Sequence, residues 1–360
     1  MAQTAMSRLF RQSTSSVRQS ILRPAQVRNY GSKAVIPTFT STPSAELNDA
    51  LEHFRNELFI PLGLPKRQQK SVFKPKYAEQ LVHEPITVTI NGNEEFTLTP
   101  KLRHELPSKK EALKILDIMV ATGDFSNLFA FLSGLRMANY SINSNRWEYI
   151  IRKVSMAGKL STIVECARQY NRTGLSLSDM NIARRLFFEL HQTAMRANFD
   201  RKTSAYALKL AQQAAALMDA PEHSFRAIYK DPKHQPFVIG TLLELSAAVV
   251  LAKAQLPDTS IKAETAVLRD YAQKLDASWS RGKFGNDAES AEENMLRILE
   301  NLAIYNGMRL SLQCPRALQV TESFQARCDQ LKPVLLEQLS KINNHQVVND
   351  QVCQQLKAEA

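Results

Sequence analysis

Lys66, Arg67, Lys70, Lys74 and Lys76 crowd into one short stretch, with no carboxylate between Glu57 and Glu79. Phe73 and Tyr77 are interleaved with them. This is the chemistry of polyanion capture. Ammonium and guanidinium groups neutralise phosphates and release counterions, and aromatic rings can stack on unpaired bases. Phosphate contact alone carries no sequence information. The alternative use is a solvated basic loop whose rings dock on the protein body. Lys101, Arg103 and His104 extend the basic character, and Arg146, Arg152, Lys153, Lys159, Arg168 and Arg172 form a second basic group further along.

Residues suited to bond-making chemistry are not grouped. The chain has no Walker loop, no GxGxxG after a strand, no HExxH and no GxSxG. His191 has Glu189 nearby but no second ligand at helical spacing, and Glu222-His223 falls in a loop beside Pro221. Glu292-Glu293 suits helix capping. Cys166, Cys314, Cys328 and Cys353 form no CxxC pair and no zinc spacing, so they read as free thiols in a reducing compartment. Gly is scarce, at 11 residues, which argues against a Gly-rich nucleotide-binding fold. The expectation is a non-enzyme with no catalytic residue, no metal and no cofactor.

The N-terminal end reads as an address. Arg8, Arg11, Arg18, Arg23, Arg28 and Lys33 precede the first carboxylate, Glu46, with Ser and Gln between them. Arg-rich, Ser-rich, acid-free composition with scattered apolar residues is that of a mitochondrial presequence. Arg28-Asn29-Tyr30-Gly31 is similar to a matrix-peptidase site, with cleavage after Tyr30, so residues 1–30 are set aside. A basic arm for nucleic acid or acidic lipid is the alternative. Removing the five arginines from the formal +11 leaves +6, which favours anionic partners. The most apolar window, Val238 to Ala252, is interrupted by Glu244 and reads as a buried helix, so no transmembrane segment is expected.

Helices and a hairpin are expected to position the basic groups. Ser32 to Pro43 is a polar tether expected to be poorly ordered. Ser44 is an N-cap, and Leu47, Leu51, Phe54 and Leu58 form a helical stripe that Pro61 ends. Pro65 and Pro75 discourage helix, so the first basic segment is expected as an extended arm. Two alternating β-branched runs, Ile86 to Ile90 and Glu95 to Thr99, flank Asn91-Gly92-Asn93 and predict a β-hairpin. A lone hairpin is marginal, so it should pack on the helices that follow.

From Ser108-x-x-Glu111, a capping box, the chain repeats itself. Lys109 to Asn143 and Ser144 to Ser178 align without a gap, placing Gly123 on Gly158, Leu116 on Ile151, Leu128 on Ile163 and Tyr140 on Leu175. Each unit reads as helix, Gly-containing turn, helix. One hairpin cannot bury its apolar face alone, and stacking supplies a neighbour. The second copy, Trp147 to Leu160, resembles a pentatricopeptide repeat. That resemblance implies helical hairpins, an organellar address and single-stranded RNA as ligand. In that family the fifth and last residues of each repeat read a base. Here they are Leu113 with Asn143 and Glu148 with Ser178. Leu cannot hydrogen-bond a base edge and Glu fits poorly beside phosphates, which speaks against base-by-base reading.

Helical patterns continue at Asn181 to Arg196, Thr203 to Met218, Phe237 to Gln255 and Ser260 to Arg281, with a linker at Ala220 to Gln235. Ser290-Ala-Glu-Glu293 is a second capping box before another helix, and Pro315 opens a last long one. The polar tail from Asn343 is a capping helix or frayed. The expected fold is all-α, a helical-hairpin solenoid of pentatricopeptide or tetratricopeptide type with a small N-terminal β-hairpin and a basic extended arm. Its divisions are 1–30 presequence, 31–107 tether, helix, arm and hairpin, 108–219 repeat-like hairpins, and 220–360 degenerate helical domain. The expected role is non-enzymatic, in the mitochondrial matrix and in mitochondrial gene expression. Its partners would be mitochondrial RNA or the mitochondrial ribosome, with protein partners also possible along the solenoid. An assembly factor or peripheral subunit of a respiratory complex is the alternative.

Overall fold

The structure, a computed structural model, describes residues 35–90, 94–225, 227–255, 261–285, 287–288, 290–314, 320–341 and 351–358. The presequence at 1–30, the Asn91-Gly92-Asn93 turn and the Pro315 helix start lie outside the described residues. The elements below belong to the unit Ile36–Ala360.

Ser44 caps α1 (Ala45–Phe54), its hydroxyl accepting from the Leu47 N–H at 3.2 Å. Leu47, Leu51 and Phe54 turn inward, as their spacing predicts. Pro61 does not end this helix. A π-turn at Arg55–Phe59 inserts an extra residue, and α2 (Ile60–Gly63) continues with Pro61 inside its first turn. Proline is tolerated there because its N–H is not needed.

The basic segment is helical, which corrects the extended arm. α3 spans Lys66–Phe73, a 3-10 turn covers Pro75–Tyr77, and α4 runs Ala78–His83. Both prolines sit where helices accept them. Pro65 precedes the first residue of α3, and Lys74 is already extended (φ −100, ψ 122) ahead of Pro75. The prolines punctuate the helices instead of forbidding them.

The hairpin is present as β1 (Thr87–Ile90) and β2 (Glu94–Thr97), antiparallel, with Val88 opposite Phe96 and Ile90 opposite Glu94. It packs on what precedes it, not on the helices that follow. Val88, Ile90 and Leu98 share a small second core with Ile36, Ile60, Leu64, Val72 and Leu81.

The expected tether is part of the fold from residue 36 on. Ile36 is buried, and Phe39 lies 6.3 Å from the Phe59 ring and 6.5 Å from Phe131. Thr40 exchanges hydrogen bonds with the Asn127 side chain at 2.8 and 2.7 Å. Buried polar groups demand such partners, and composition alone did not reveal that the tether supplied them.

The repeat region forms α5 (Lys109–Thr122), α6 (Leu128–Met137), α7 (Ser144–Met156), α8 (Leu160–Arg168) and a short α9 (Tyr170–Thr173). The Ser108–Glu111 capping box is complete. Gly123 (φ 67) and Gly158 (φ 70) occupy the left-handed region at equivalent points of the two units, where a side chain would be strained. α7 packs on α5 and on α10 (Met180–Arg196), and α8 packs on α6 and on α11 (Arg201–Leu217).

α12 (Pro236–Ala254) is the hub of the C-terminal part, contacting α10, α11, α13 (Lys262–Ser278) and α14 (Ala291–Leu312). By length and composition it could cross a membrane, yet 78% of its apolar window is buried inside the protein. It comes close to α14 at Gly240 and Gly307, where a Cβ on Gly307 would stand 2.8 Å from the Gly240 carbonyl oxygen. α15 (Thr321–Ser340) and α16 (Gln351–Ala358) follow, with Cys353 and Leu356 buried.

Candidate nucleic-acid interface

α3 is held as a platform from below. Val72 is 3% exposed in the second core, and its carbonyl accepts from the Lys101 N–H at 3.0 Å. Gln69 Nε2 donates to the Leu62 and Leu64 carbonyls at 2.6 and 2.8 Å, closing the end of α2. Beneath, the buried Arg55 guanidinium donates to Glu94 from both terminal nitrogens and to the Pro37 carbonyl at 3.1 Å. That fork ties β2 to the π-turn.

Lys66, Arg67 and Lys70 fall on one arc of α3, of about 100°, opposite Val72. With Lys74 and Lys76 they are exposed, and none of the five pairs with a carboxylate among the described residues. The field is visible at Tyr77. Its phenol is pulled below the usual tyrosine range, first by a hydrogen bond with Lys76 and then by the charges of Lys76, Lys74 and Lys70.

The remaining candidates of the first group have other duties. Lys101 is bonded to Glu57 at 2.5 Å with its side chain 11% exposed. Arg103 lies 5.8 Å from the centre of the Phe73 ring. Phe73 itself is half-buried against the second core.

Most of the second group is engaged by contacts with the protein itself, although Lys159, Arg168 and Arg172 lie on the exposed surface. Arg146 bonds Asp117 at 2.5 Å and the Leu113 carbonyl at 2.9 Å, so it clips α7 to α5. Arg146, Arg152 and Lys153 surround the Tyr149 ring at 5.2, 5.8 and 5.8 Å. Arg168 pairs with Glu165 at 2.7 Å. Arg172 reaches Ser133 at 3.3 Å and lies 4.8 Å from the Phe129 ring centre. Lys159 is exposed at the turn beside the charge of Asp124. No hydrogen bond, ion pair or ring contact among the described residues joins the two groups.

The positions that would read bases are likewise engaged. Leu113 packs against the main core, and Asn143 caps α7 by accepting from the Arg146 N–H at 3.0 Å. The Ser178 hydroxyl bonds that of Ser176 at 2.8 Å. Glu148 is half-buried, and loss of water raises its carboxyl above the usual range against the opposing pull of Arg185 and Arg184.

Sequence reasoning missed two buried histidine clusters. His191 Nδ1 lies 2.9 and 2.8 Å from the Glu244 carboxylate oxygens, and Asn306 Nδ2 donates to the same carboxylate at 2.5 Å. The signal was Glu244 itself, because an acid inside an apolar helix needs a buried partner. His223 Nδ1 accepts from the Leu177 N–H at 3.1 Å, which leaves Nε2–H to donate to the Ala167 carbonyl at 3.0 Å. Burial pushes its imidazole pKa down. The first cluster joins α10, α12 and α14, and the second ties the turns at Leu177 and His223 to the end of α8. Burial also pushes the Cys166 and Cys328 thiols up to about 12, the reverse of what a nucleophile needs. Among the described residues no three His, Cys, Asp or Glu side chains are disposed to hold a metal.

Comparison with known proteins then fixes the relationship. The family Mrp13, described as mitochondrial ribosomal protein mS27, matches residues 25–358. Small ribosomal subunit protein mS27 of Neurospora crassa is 26% identical over 322 residues, covering 83% of this chain and 81% of that protein. A match of this extent, across both basic groups and the whole helical array, means that the chain belongs to the mitochondrial ribosomal protein mS27 family.

Proposed function

We propose that this chain is a non-enzymatic constituent of the small subunit of the mitochondrial ribosome, in the matrix, where it acts in translation by holding ribosomal RNA and neighbouring proteins in place. The observation that carries the reading is the exposed basic face of α3, unpaired within the described residues, on a chain of this family. Electrostatic capture would come first and docking by shape second.

The helical array supports a scaffold role. Equivalent left-handed glycines, a shared period of 35 residues by sequence alignment, and like-to-like packing of α5 on α7 and α6 on α8 favour a pentatricopeptide-like stack. The internal use of Leu113, Asn143, Glu148 and Ser178 favours a stack that positions partners without reading bases. In this reading residues 1–30 form a presequence, 31–107 the RNA-facing platform, 108–219 the repeat-like hairpins and 220–360 a helical domain for protein contacts. Family membership favours the ribosome over a respiratory complex as the assembly served.

Gradient sedimentation of mitochondrial extract tests the proposal. Co-migration with the small ribosomal subunit, released by RNase, is expected. Co-migration with an inner-membrane complex that resists RNase and salt would overturn it.

A further inference from the structure

The chemistry of α3 limits what kind of RNA it can hold. Binding of a single strand draws on stacking of open rings as well as on charge. The two rings of this segment each already carry a neighbouring cation. Phe73 is half-buried on the second core with the Arg103 guanidinium 5.8 Å from its ring centre. Lys76 Nζ lies 4.6 Å from the centre of Tyr77. What remains for a ligand is a convex ridge of ammonium and guanidinium groups. Lys66 and Lys70 are one turn apart, about 6 Å along the axis, with Arg67 between them. No carboxylate interrupts the ridge, because none occurs between Glu57 and Glu79. A rigid cationic ridge whose two rings already carry a cation matches a double-helical RNA backbone, which presents fixed phosphates and is recognised by shape.

We infer that the Lys66, Arg67 and Lys70 face of α3 is a site for the phosphate backbone of double-helical RNA, read by shape and charge and not by base. Lys74 and Lys76 extend the site past the helix end. This deepens the proposed function and rests on it for the RNA partner. The site takes any duplex of sufficient length, and its specificity within an assembly comes from the rest of the protein.

The test uses the purified full chain in fluorescence anisotropy titrations. The probes are an RNA duplex of about 16 base pairs and one of its strands alone, chosen not to fold. Titrations run over a series of salt concentrations, with the unaltered chain and with the triple variant Lys66→Gln, Arg67→Gln, Lys70→Gln. Unchanged circular dichroism and melting temperature show that the variant folds. The duplex is expected to bind at least tenfold more tightly than the strand. The triple variant is expected to lower the slope of log K against log salt by about 2 to 3, as loss of three phosphate contacts requires. Equal or tighter binding of the single strand overturns the duplex assignment and leaves the ribosomal reading standing. Duplex binding with an unaltered slope in the triple variant overturns α3 as the site. Binding of neither RNA overturns the RNA contact, and sedimentation then decides the ribosomal reading independently.

Discussion

The two basic groups carry similar positive charge, the first mostly Lys and the second mostly Arg, and meet different fates. On α3 the cations point away from the second core, and no carboxylate among the described residues meets them. Between Arg146 and Arg172 most cations find partners on the protein: Arg146 clips α7 to Asp117 and Leu113 of α5, Arg172 reaches Ser133 of α6, and Arg168 pairs with Glu165 within α8. The difference teaches that a count of Lys and Arg does not locate a binding surface. Their availability depends on which acids and carbonyls the fold brings within reach. The first group is solvated and therefore adds little to stability. In the second, Arg146 and Arg172 tie neighbouring helices together.

Four substitutions and one triple variant separate the two roles. The largest effect is expected beneath α3. Arg55→Ala removes a buried fork to Glu94 and the Pro37 carbonyl, and should cost about 2–3 kcal/mol. Urea unfolding would report it, and a cost under about 0.5 kcal/mol would show that the hairpin is held by its apolar contacts alone.

Arg146→Ala comes next. Its bonds to Asp117 and Leu113 are half-solvated, so the expected loss is smaller, about 1–1.5 kcal/mol. A neutral result would place Arg146 with the free cations and blur the comparison.

The pH dependence should differ in sign between the regions. Arg55 donates to Glu94 and holds its carboxyl below the ordinary 4.5. That contribution is present above 4.5 and is lost as pH falls through the depressed value. Burial raises Glu148 above 4.5. Its contribution is fully present below 4.5 and is lost as pH rises through the raised value. Glu94→Gln should therefore flatten the acid side of the melting profile, and Glu148→Gln should remove a decline towards neutrality. Melting temperatures from about pH 3 to about pH 7 would check both, and identical profiles for the two variants would refute the distinction.

The smallest stability effect belongs to the triple Gln variant on α3. Its melting temperature should change by no more than about 0.5 kcal/mol of stability allows, although its RNA binding falls. A marked loss of stability would mean that these cations are structural after all.

Much of the helical array was legible because it rests on local rules. Ser44 and Ser108 cap the helices they precede, and the repeat places Gly123 and Gly158 at equivalent left-handed turns. Alternation located the two strands. Three readings failed, one on local helix position and two where a long-range partner overrode a local signal. Proline reads as a helix breaker, but Pro61, Pro65 and Pro75 all sit at positions that need no N–H. The 35–43 segment is polar and Pro-containing, yet Phe39 and Thr40 find Phe131 and Asn127 far along the chain. The hairpin joined earlier helices because Ile60 and Val72 offered it an apolar face.

Hydrophobic period, capping residues and charge distribution are properties of neighbours along the chain. From them followed the helical class, the hairpin, the basic stretches and the absence of familiar catalytic motifs. The tertiary structure decided which cations are available, which of the base-reading positions are consumed internally, and how Glu244 is tolerated beside His191 and Asn306. Those outcomes depend on desolvation and on partners distant in sequence. A side chain's charge is set by its chemistry, but its freedom to meet a ligand is set by what the fold places against it.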